Sequence, residues 1–134
     1  MYDAGSELRT VRALSPQSDT GGVARVGPVI DRFGFDSLVA SFVTGAVTGA
    51  PTAMSMACRV QHGDAADGSG MIDIDRATAT ITAADSIVEI NVDCRGLRRF
   101  VRVIVTTTFT GGTAPAALVA ATIAMGEAVW LPTV

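Results

Sequence analysis

The segment DSIVEINVDCRGLRRFVRVIVTTTF, residues 85–109, decides the fold class of this chain. In its first half, apolar residues at 88, 90, 92 and 94 alternate with mostly polar ones, and this period of two predicts a half-buried β-strand at 86–94. The second half, 99–109, is almost wholly β-branched or aromatic, which predicts a central strand. A tight Arg-Gly-Leu break separates the two halves, so we expect a hairpin, the Arg95–Arg102 hairpin.

The same alternation extends in both directions from this segment. Turn-forming clusters rich in Gly, Pro, Asp and Ser punctuate the chain and leave about eight strand candidates, at 7–14, 23–31, 37–44, 53–60, 71–82, 86–94, 99–109 and 117–126. The Ala-rich segment 116–126 is helical by propensity, but its β-branched residues leave strand at least as favoured. The pattern predicts an all-β sandwich or barrel in a single domain, 1–134.

Both ends of the sequence are predicted to be extended arms, at 1–6 and 127–134. The second arm carries Trp130 and Leu131, which need to be buried against this domain or against a neighbouring molecule.

Composition excludes several classes of function. The ten basic residues are all arginine, so a P-loop lysine and Schiff-base catalysis are both excluded. A net charge of −3 makes free nucleic acid an unexpected partner. The longest apolar stretch, 114–125, is too short to cross a bilayer, and the first ten residues do not resemble a signal peptide. We therefore expect no membrane association and folding in a cytoplasm.

The remaining polar residues do not assemble a recognisable catalytic or metal-binding motif. His62 is predicted to be a solvated loop residue, and no serine elbow accompanies it. The acidic residues at 64, 67, 73 and 75 do not have calcium-loop spacing. Cys58 and Cys94 fall on core-facing strand positions, where free thiols are favoured over a disulfide. We predict no catalytic residue, no cofactor and no metal.

The arginines around the break are the strongest functional signal. Four of them lie within eight residues of an acidic chain, and the alternation puts Arg98 and Arg102 on one strand face with Phe100, whereas Arg99 is on the other face. Arginine and aromatic side chains are enriched at protein interfaces, although a solvated polar face is the alternative. The predicted interface set, for a sister subunit or another protein, is Arg95, Arg98, Arg99, Phe100, Arg102, Trp130 and Leu131.

The chain resembles the small head decoration, or cement, proteins of tailed bacteriophages. The resemblance rests on the order of four phrases: ELRTVRALSPQS, VGPVIDRFGFDSLVASFVTGAV, DSIVEINVDCRGLRRFVRVIVTTT and APAALVAATIAMGEAVWLPTV. It implies a jelly-roll-like antiparallel β-sandwich without catalytic residues. It also implies a homotrimer, made in the host bacterial cytoplasm, that binds the outer surface of the capsid and clamps subunits of the major capsid protein.

Two other functions remain open at this point. One is a different virion component built on a β-sandwich, such as a head spike, a fibre base or a tail protein. The other is a carbohydrate-binding module, for which exposed Trp and Tyr are required. The chain has one residue of each type, near its two ends.

Overall fold

The computed structural model describes residues 8–128, and this part of the chain is an antiparallel all-β sandwich. It confirms the predicted fold class. The strands are β1 (Arg9–Asp19), β2 (Arg25–Val26), β3 (Ile30–Asp31), β4 (Phe35–Thr48), β5 (Ala53–Gly63), β6 (Ile72–Ile81), β7 (Ile87–Asp93), β8 (Phe100–Thr110) and β9 (Ala116–Ala128). Within these residues no helix has the length and apolar character needed to cross a membrane.

The strands form two sheets. Sheet A has the order β1-β9-β4-β7, and sheet B has the order β2-β8-β5-β6. The short strands β2 and β3 pair with successive parts of β8, so together they occupy one strand position at the edge of sheet B. The β2–β3 and β5–β6 connections stay within sheet B. Each of the other connections between described strands carries the chain from one sheet to the other.

The core between the sheets follows from the alternation in the sequence. On β4, the side chains of Leu38, Ala40 and Phe42 are almost fully buried, and the residues between them face outward. The Ala-rich segment is strand β9, because its alternate residues, from Ala117 to Met125, pack into the core. Small residues at many of these positions allow the two sheets to approach closely around a few large side chains.

Strand boundaries differ from the sequence prediction at three places. The candidate at 23–31 is divided into β2 and β3, because Gly27 and Pro28 interrupt it. The first strand extends past Pro16 to Asp19 instead of ending near 14. The last strand includes 127 and 128, which were predicted to belong to an arm. The predicted arm residues at 1–6, together with Trp130 and Leu131, lie outside the described residues.

The predicted Arg95–Arg102 hairpin is wrong. Strand β7 pairs with β4 in sheet A, whereas β8 pairs with β5 in sheet B. Residues 94–99 are therefore a crossover between the sheets. A local alternating pattern identifies two strands but does not say which sheet each one joins, and this is why the hairpin prediction failed.

Candidate functional site: the arginine surface

The predicted interface arginines lie together at one end of the sandwich. Arg95, Arg98 and Arg99 are on the β7–β8 crossover, Arg102 is on β8, and the loop after β3 brings a fifth arginine and a phenylalanine beside them. We call this region the arginine surface, defined by Arg32, Phe33, Arg95, Arg98, Arg99, Phe100 and Arg102.

Arg99 is the best-fixed residue of this surface. Its guanidinium makes a bidentate contact with Asp31 on β3, with Nε–Oδ1 and Nη2–Oδ2 distances of 3.0 and 2.7 Å. Its guanidinium carbon also lies 5.0 Å from the ring centre of Phe33 and 5.2 Å from that of Phe100. The hydrogen bond from Arg99 lowers the pKa of Asp31. The sequence placed Arg99 on the strand face opposite Arg98 and Arg102, but it precedes β8 and its side chain is half exposed.

Arg32 holds the crossover in place, although no sequence pattern singled it out. Its Nε donates to the backbone carbonyl of Arg98 at 2.8 Å, its Nη1 to that of Phe35 at 3.1 Å, and its Nη2 to that of Leu97. Two of these acceptors lie more than sixty residues further along the chain. No local sequence signal indicates a contact of this range.

Arg98 is positioned by β5. Its backbone N–H donates to Nδ1 of His62 at 3.1 Å, and its guanidinium lies 3.6 Å from a carboxylate oxygen of Asp64. The prediction that His62 is a solvated loop residue is wrong, because it lies on β5 and is half-buried. Desolvation lowers the pKa of His62, and the nearby charges of Arg98 and Arg32 lower it further. The imidazole is thus suited to remain neutral and to accept this bond.

Arg95 and Arg102 also have partners in the same chain. Arg95 binds the Asp93 carboxylate at 2.8 Å, and hydrogen bonds from Arg95 lower the pKa of Asp93 to about 2. The Nε of Arg102 donates to Oε1 of the buried Gln61 at 2.9 Å, and Gln61 in turn donates to Asp73 at 2.8 Å. Arg102 and Phe100 share the outer face of β8, as predicted, but both are half-buried.

These contacts change the interpretation of the charge cluster. The sequence left the charges of these arginines without identified partners, but Asp93, Asp64 and Asp31 pair with Arg95, Arg98 and Arg99. The surface instead presents fixed arginines beside an exposed aromatic ring, since Phe33 is 59% exposed. Whether another protein binds this surface remains a prediction.

A second polar cluster, missed by the sequence reasoning, joins the two sheets. The Asp19 carboxylate at the end of β1 is fully buried and accepts hydrogen bonds from Gly21 N at 2.9 Å, Arg25 Nε at 3.2 Å and Thr107 Oγ1 at 2.8 Å. An Asp followed two residues later by Gly is an Asx-turn signal, and this signal was available in SDTGG. The cluster fixes the fold rather than binding a ligand, because each bond satisfies a group of the chain itself.

The two cysteines are free and buried, as predicted. Cys58 belongs to sheet B, and Cys94 follows the last residue of β7 in sheet A. Burial raises the pKa of the Cys58 thiol to about 12 and that of Cys94 to about 11. Among residues 8–128, no three His, Cys, Asp or Glu side chains are grouped so that they would hold a metal ion.

Comparisons with known proteins give only distant structural neighbours. No protein-family model and no curated protein matches the sequence. Among solved structures, the chain is similar to the SPBc2 prophage-derived protein YomS, with 12% identity and a TM-score of 0.43 over 88% of this chain and 93% of that one. It is also similar to PirA, with 11% identity and a TM-score of 0.36 over 93% of this chain and 95% of that one.

Proposed function

We propose that this chain is a structural virion protein, a decoration protein that binds the outer surface of a phage head and stabilises contacts between subunits of the major capsid protein. This role includes no catalytic step and no cofactor. The observation that carries the proposal is the strand order, taken together with the order of sequence phrases that resembles this class of protein.

The strand order supports the jelly-roll-like fold that the resemblance implies. With β2 and β3 counted as one interrupted strand, sheet A contains the first, eighth, third and sixth strands, and sheet B contains the second, seventh, fourth and fifth. A jelly roll is an eight-stranded double sheet with this kind of Greek-key crossing between layers, and capsid proteins use it widely. Fold alone does not assign function, so the contact surface has to be tested separately.

The arginine surface is the proposed contact with the capsid. Arg99 is fixed by Asp31 and by two aromatic rings, and the exposed ring of Phe33 lies beside it. Side chains that are already ordered lose little conformational entropy on binding, and Arg beside an exposed aromatic is typical of interface hot spots. Several copies that each bind weakly would hold neighbouring capsid subunits together through avidity.

The test uses undecorated phage heads assembled from a major capsid protein, chosen from the genes that neighbour the gene of this chain. The double variant Phe33→Ser/Arg98→Ala removes the exposed ring and one cation of the arginine surface. We expect its affinity for heads to fall at least about tenfold, or ~1.4 kcal/mol, in a co-sedimentation titration. Circular dichroism of the free protein should stay unchanged, since both side chains are exposed.

The matched control is Leu118→Ser/Thr113→Asp. It makes the same change in net charge and also removes an exposed apolar side chain, but near the opposite end of the sandwich, where Ala53 pairs with Thr110. Equal losses in both double variants would reject the arginine surface as the contact. Failure of the unaltered protein to bind heads would reject the decoration function itself.

Copy number per virion separates decoration from the other structural roles. A decoration protein is distributed over the whole shell, whereas a spike base, a fibre base or a tail component is present at few positions. Quantitative gel analysis of purified particles against the major capsid protein distinguishes the two outcomes.

A further inference from the structure

The sheet edges of the described sandwich differ in how well they are protected against pairing with another strand. In β1 the register shifts between Arg12 and Leu14 and again before Gln17, around Pro16. In β6 the register shifts opposite the Arg59–Gln61 step, and Arg76 has a φ of 65°. The β2–β3 edge consists of two short pieces. Bulges, proline and short strands are devices that prevent edge-to-edge association.

Strand β7 has none of these protections. Its seven residues, Ile87–Asp93, pair with β4 from Val43↔Ile87 to Ser37↔Asp93 without a register shift. The strand contains no proline, glycine, lysine or arginine. Within residues 8–128 it is therefore the one edge strand that is long, regular and open to a further strand.

The phase of the β4–β7 ladder identifies the backbone groups that face outward. The bonds Thr44 N→Ser86 O and Cys94 N→Asp36 O, both 2.8 Å, flank the two ends of the ladder and involve even-numbered residues. In an antiparallel pair, every second residue directs both its N–H and its C=O toward the partner strand. The odd-numbered residues of β7 therefore direct theirs away from β4, and these residues are Ile87, Glu89, Asn91 and Asp93.

We propose that a second copy of this chain pairs with this edge, β7 against β7 in antiparallel orientation about a twofold axis. The two copies would then share one continuous eight-stranded sheet. The odd-numbered residues of one copy hydrogen-bond to odd-numbered residues of the other, so the twofold axis crosses each strand at a residue. The number of that residue defines the register. With the axis at Ile90, the four outward residues of each strand all find partners.

Charge selects this register over its neighbours. With the axis at Ile90, Glu89 lies opposite Asn91 of the second copy, and Ile87 lies opposite Asp93. If the axis crosses at residue 89, Glu89 of one copy lies opposite Glu89 of the other. If it crosses at residue 91, Glu89 lies opposite Asp93 of the other copy. Like charges directly opposite each other are destabilising, so the Ile90 register is the favoured one.

The even-numbered residues of β7, whose side chains face the core, are also complementary between the two copies in this register. Val88 lies opposite Val92, and Ile90 lies opposite Ile90, so each core-side pair consists of two β-branched residues, which pack well across strands. These matches within a single sequence are the reason for assigning the edge to a second copy rather than to an unrelated chain.

This inference does not depend on the proposed function, because it rests on register and charge alone. A twofold contact uses the β7 edge of both copies, so no β7 edge is left for a third copy to bind. It therefore predicts a dimer, whereas the resemblance to decoration proteins implies a homotrimer. The molar mass in solution separates the two.

The experiment measures molar mass by sedimentation equilibrium over a range of concentrations. We expect a species of twice the 13.7 kDa chain mass that dissociates on dilution. The variant Asn91→Asp puts a carboxylate opposite Glu89 at two places in the pair and should weaken dimerisation by about tenfold. Adding Glu89→Gln to it should restore dimerisation, and Glu89→Gln alone should not weaken it.

Hydrogen exchange locates the contact. Amides of the odd-numbered β7 residues should be protected at high concentration and should exchange faster on dilution or in Asn91→Asp. A monomer or a trimer at every concentration would overturn the proposal. So would a dimer whose stability is unaffected by Asn91→Asp, or one in which these amides exchange rapidly.

Discussion

The two edges of sheet A are built in opposite ways. Edge strand β1 is bulged and is tied to the other sheet, because the Asp19 carboxylate binds Thr107 of β8 and Arg25 of β2. Gly27, between β2 and β3, also approaches the backbone of Ala13 closely. Edge strand β7 is regular and, among the strands of residues 8–128, pairs only with β4. The difference indicates that one edge closes the sandwich and the other is suited to a partner.

The largest expected effect tests the close approach at the β1 edge. A Cβ added at Gly27 would lie 1.8 Å from the carbonyl oxygen of Ala13, which is backbone and has no alternative rotamer. The Gly27 N–H also bonds to Val103 O at 2.9 Å. Gly27→Ala should therefore destabilise the fold by roughly 3 kcal/mol, near the upper end of overpacking costs. Urea unfolding measures this.

The control for that variant is Gly45→Ala on β4. There the added Cβ would meet the Cβ of Leu118 at 3.1 Å, and Leu118 is a half-exposed side chain that has room to move. We expect less than about 1 kcal/mol of destabilisation. Similar losses for the two variants would show that the β1 edge is not specially constrained.

A smaller effect is expected from the buried carboxylate at the same edge. Asp19→Asn keeps the shape of the side chain but removes its charge, so the bonds from Gly21 N and Arg25 Nε to Oδ1 are no longer charge-assisted. Its NH₂ then stands in place of the Oδ2 that accepts from Thr107 Oγ1. Hydrogen bonds to a charged group contribute about 1.5–3 kcal/mol, so we expect a loss of about 2 kcal/mol. Thermal unfolding of Asp19→Asn and of Asp75→Asn, an exposed control on β6, measures the difference. Equal melting points would mean that the Asp19 cluster does not hold this edge closed.

The smallest effect on stability concerns the crossover between β7 and β8. His62 holds this crossover by accepting a hydrogen bond from the backbone N–H of Arg98. Because desolvation and the charges of Arg98 and Arg32 lower the pKa of His62, with Asp64 opposing them, the unfolded chain takes up the proton first as pH falls. The stabilising contribution is complete above the ordinary pKa of 6.5 and is lost as pH falls through it toward the lower folded-state pKa.

The midpoint of urea unfolding should therefore decrease between about pH 7.5 and about pH 5.5, and less so in His62→Gln. Asp31 and Asp93 have lowered pKa values, so their contributions are lost only at more acidic pH. Identical pH profiles for the two proteins would mean that the His62–Arg98 bond adds nothing to the crossover.

The strands were predictable from the sequence because burial follows a period of two. Residues 88, 90, 92 and 94 were identified as one face from their spacing alone, and the structure buries the last three and packs Val88 against the core. The interruption between β2 and β3 was not predicted. It falls at Gly27 and Pro28, a break signal that was available in the sequence but was read as part of one strand.

The candidate site was predictable in position but not in its chemistry. The arginines near the break do form one surface, but the partners of Arg98, Arg99 and Arg102 are distant in sequence. Asp31 meets Arg99 across 68 residues, and Thr107 meets Asp19 across 88. Which of the two sheets each strand joins also depends on distant pairing, so the crossover between β7 and β8 was taken for a hairpin. Pairing of this kind follows from the whole topology, which no single segment determines.

The position of β9 has a consequence for how the protein is made. β9 is the last of the described strands in the chain, but it lies in the middle of sheet A, and β1 pairs with it alone, from Arg9↔Met125 to Asp19↔Ala117. A nascent chain whose residues from 116 onward are still inside the ribosome leaves the edges of β1 and β4 that β9 joins without a partner strand. Sheet A is therefore completed only after translation has passed β9, and until then those edges are exposed to chaperones and to other nascent chains.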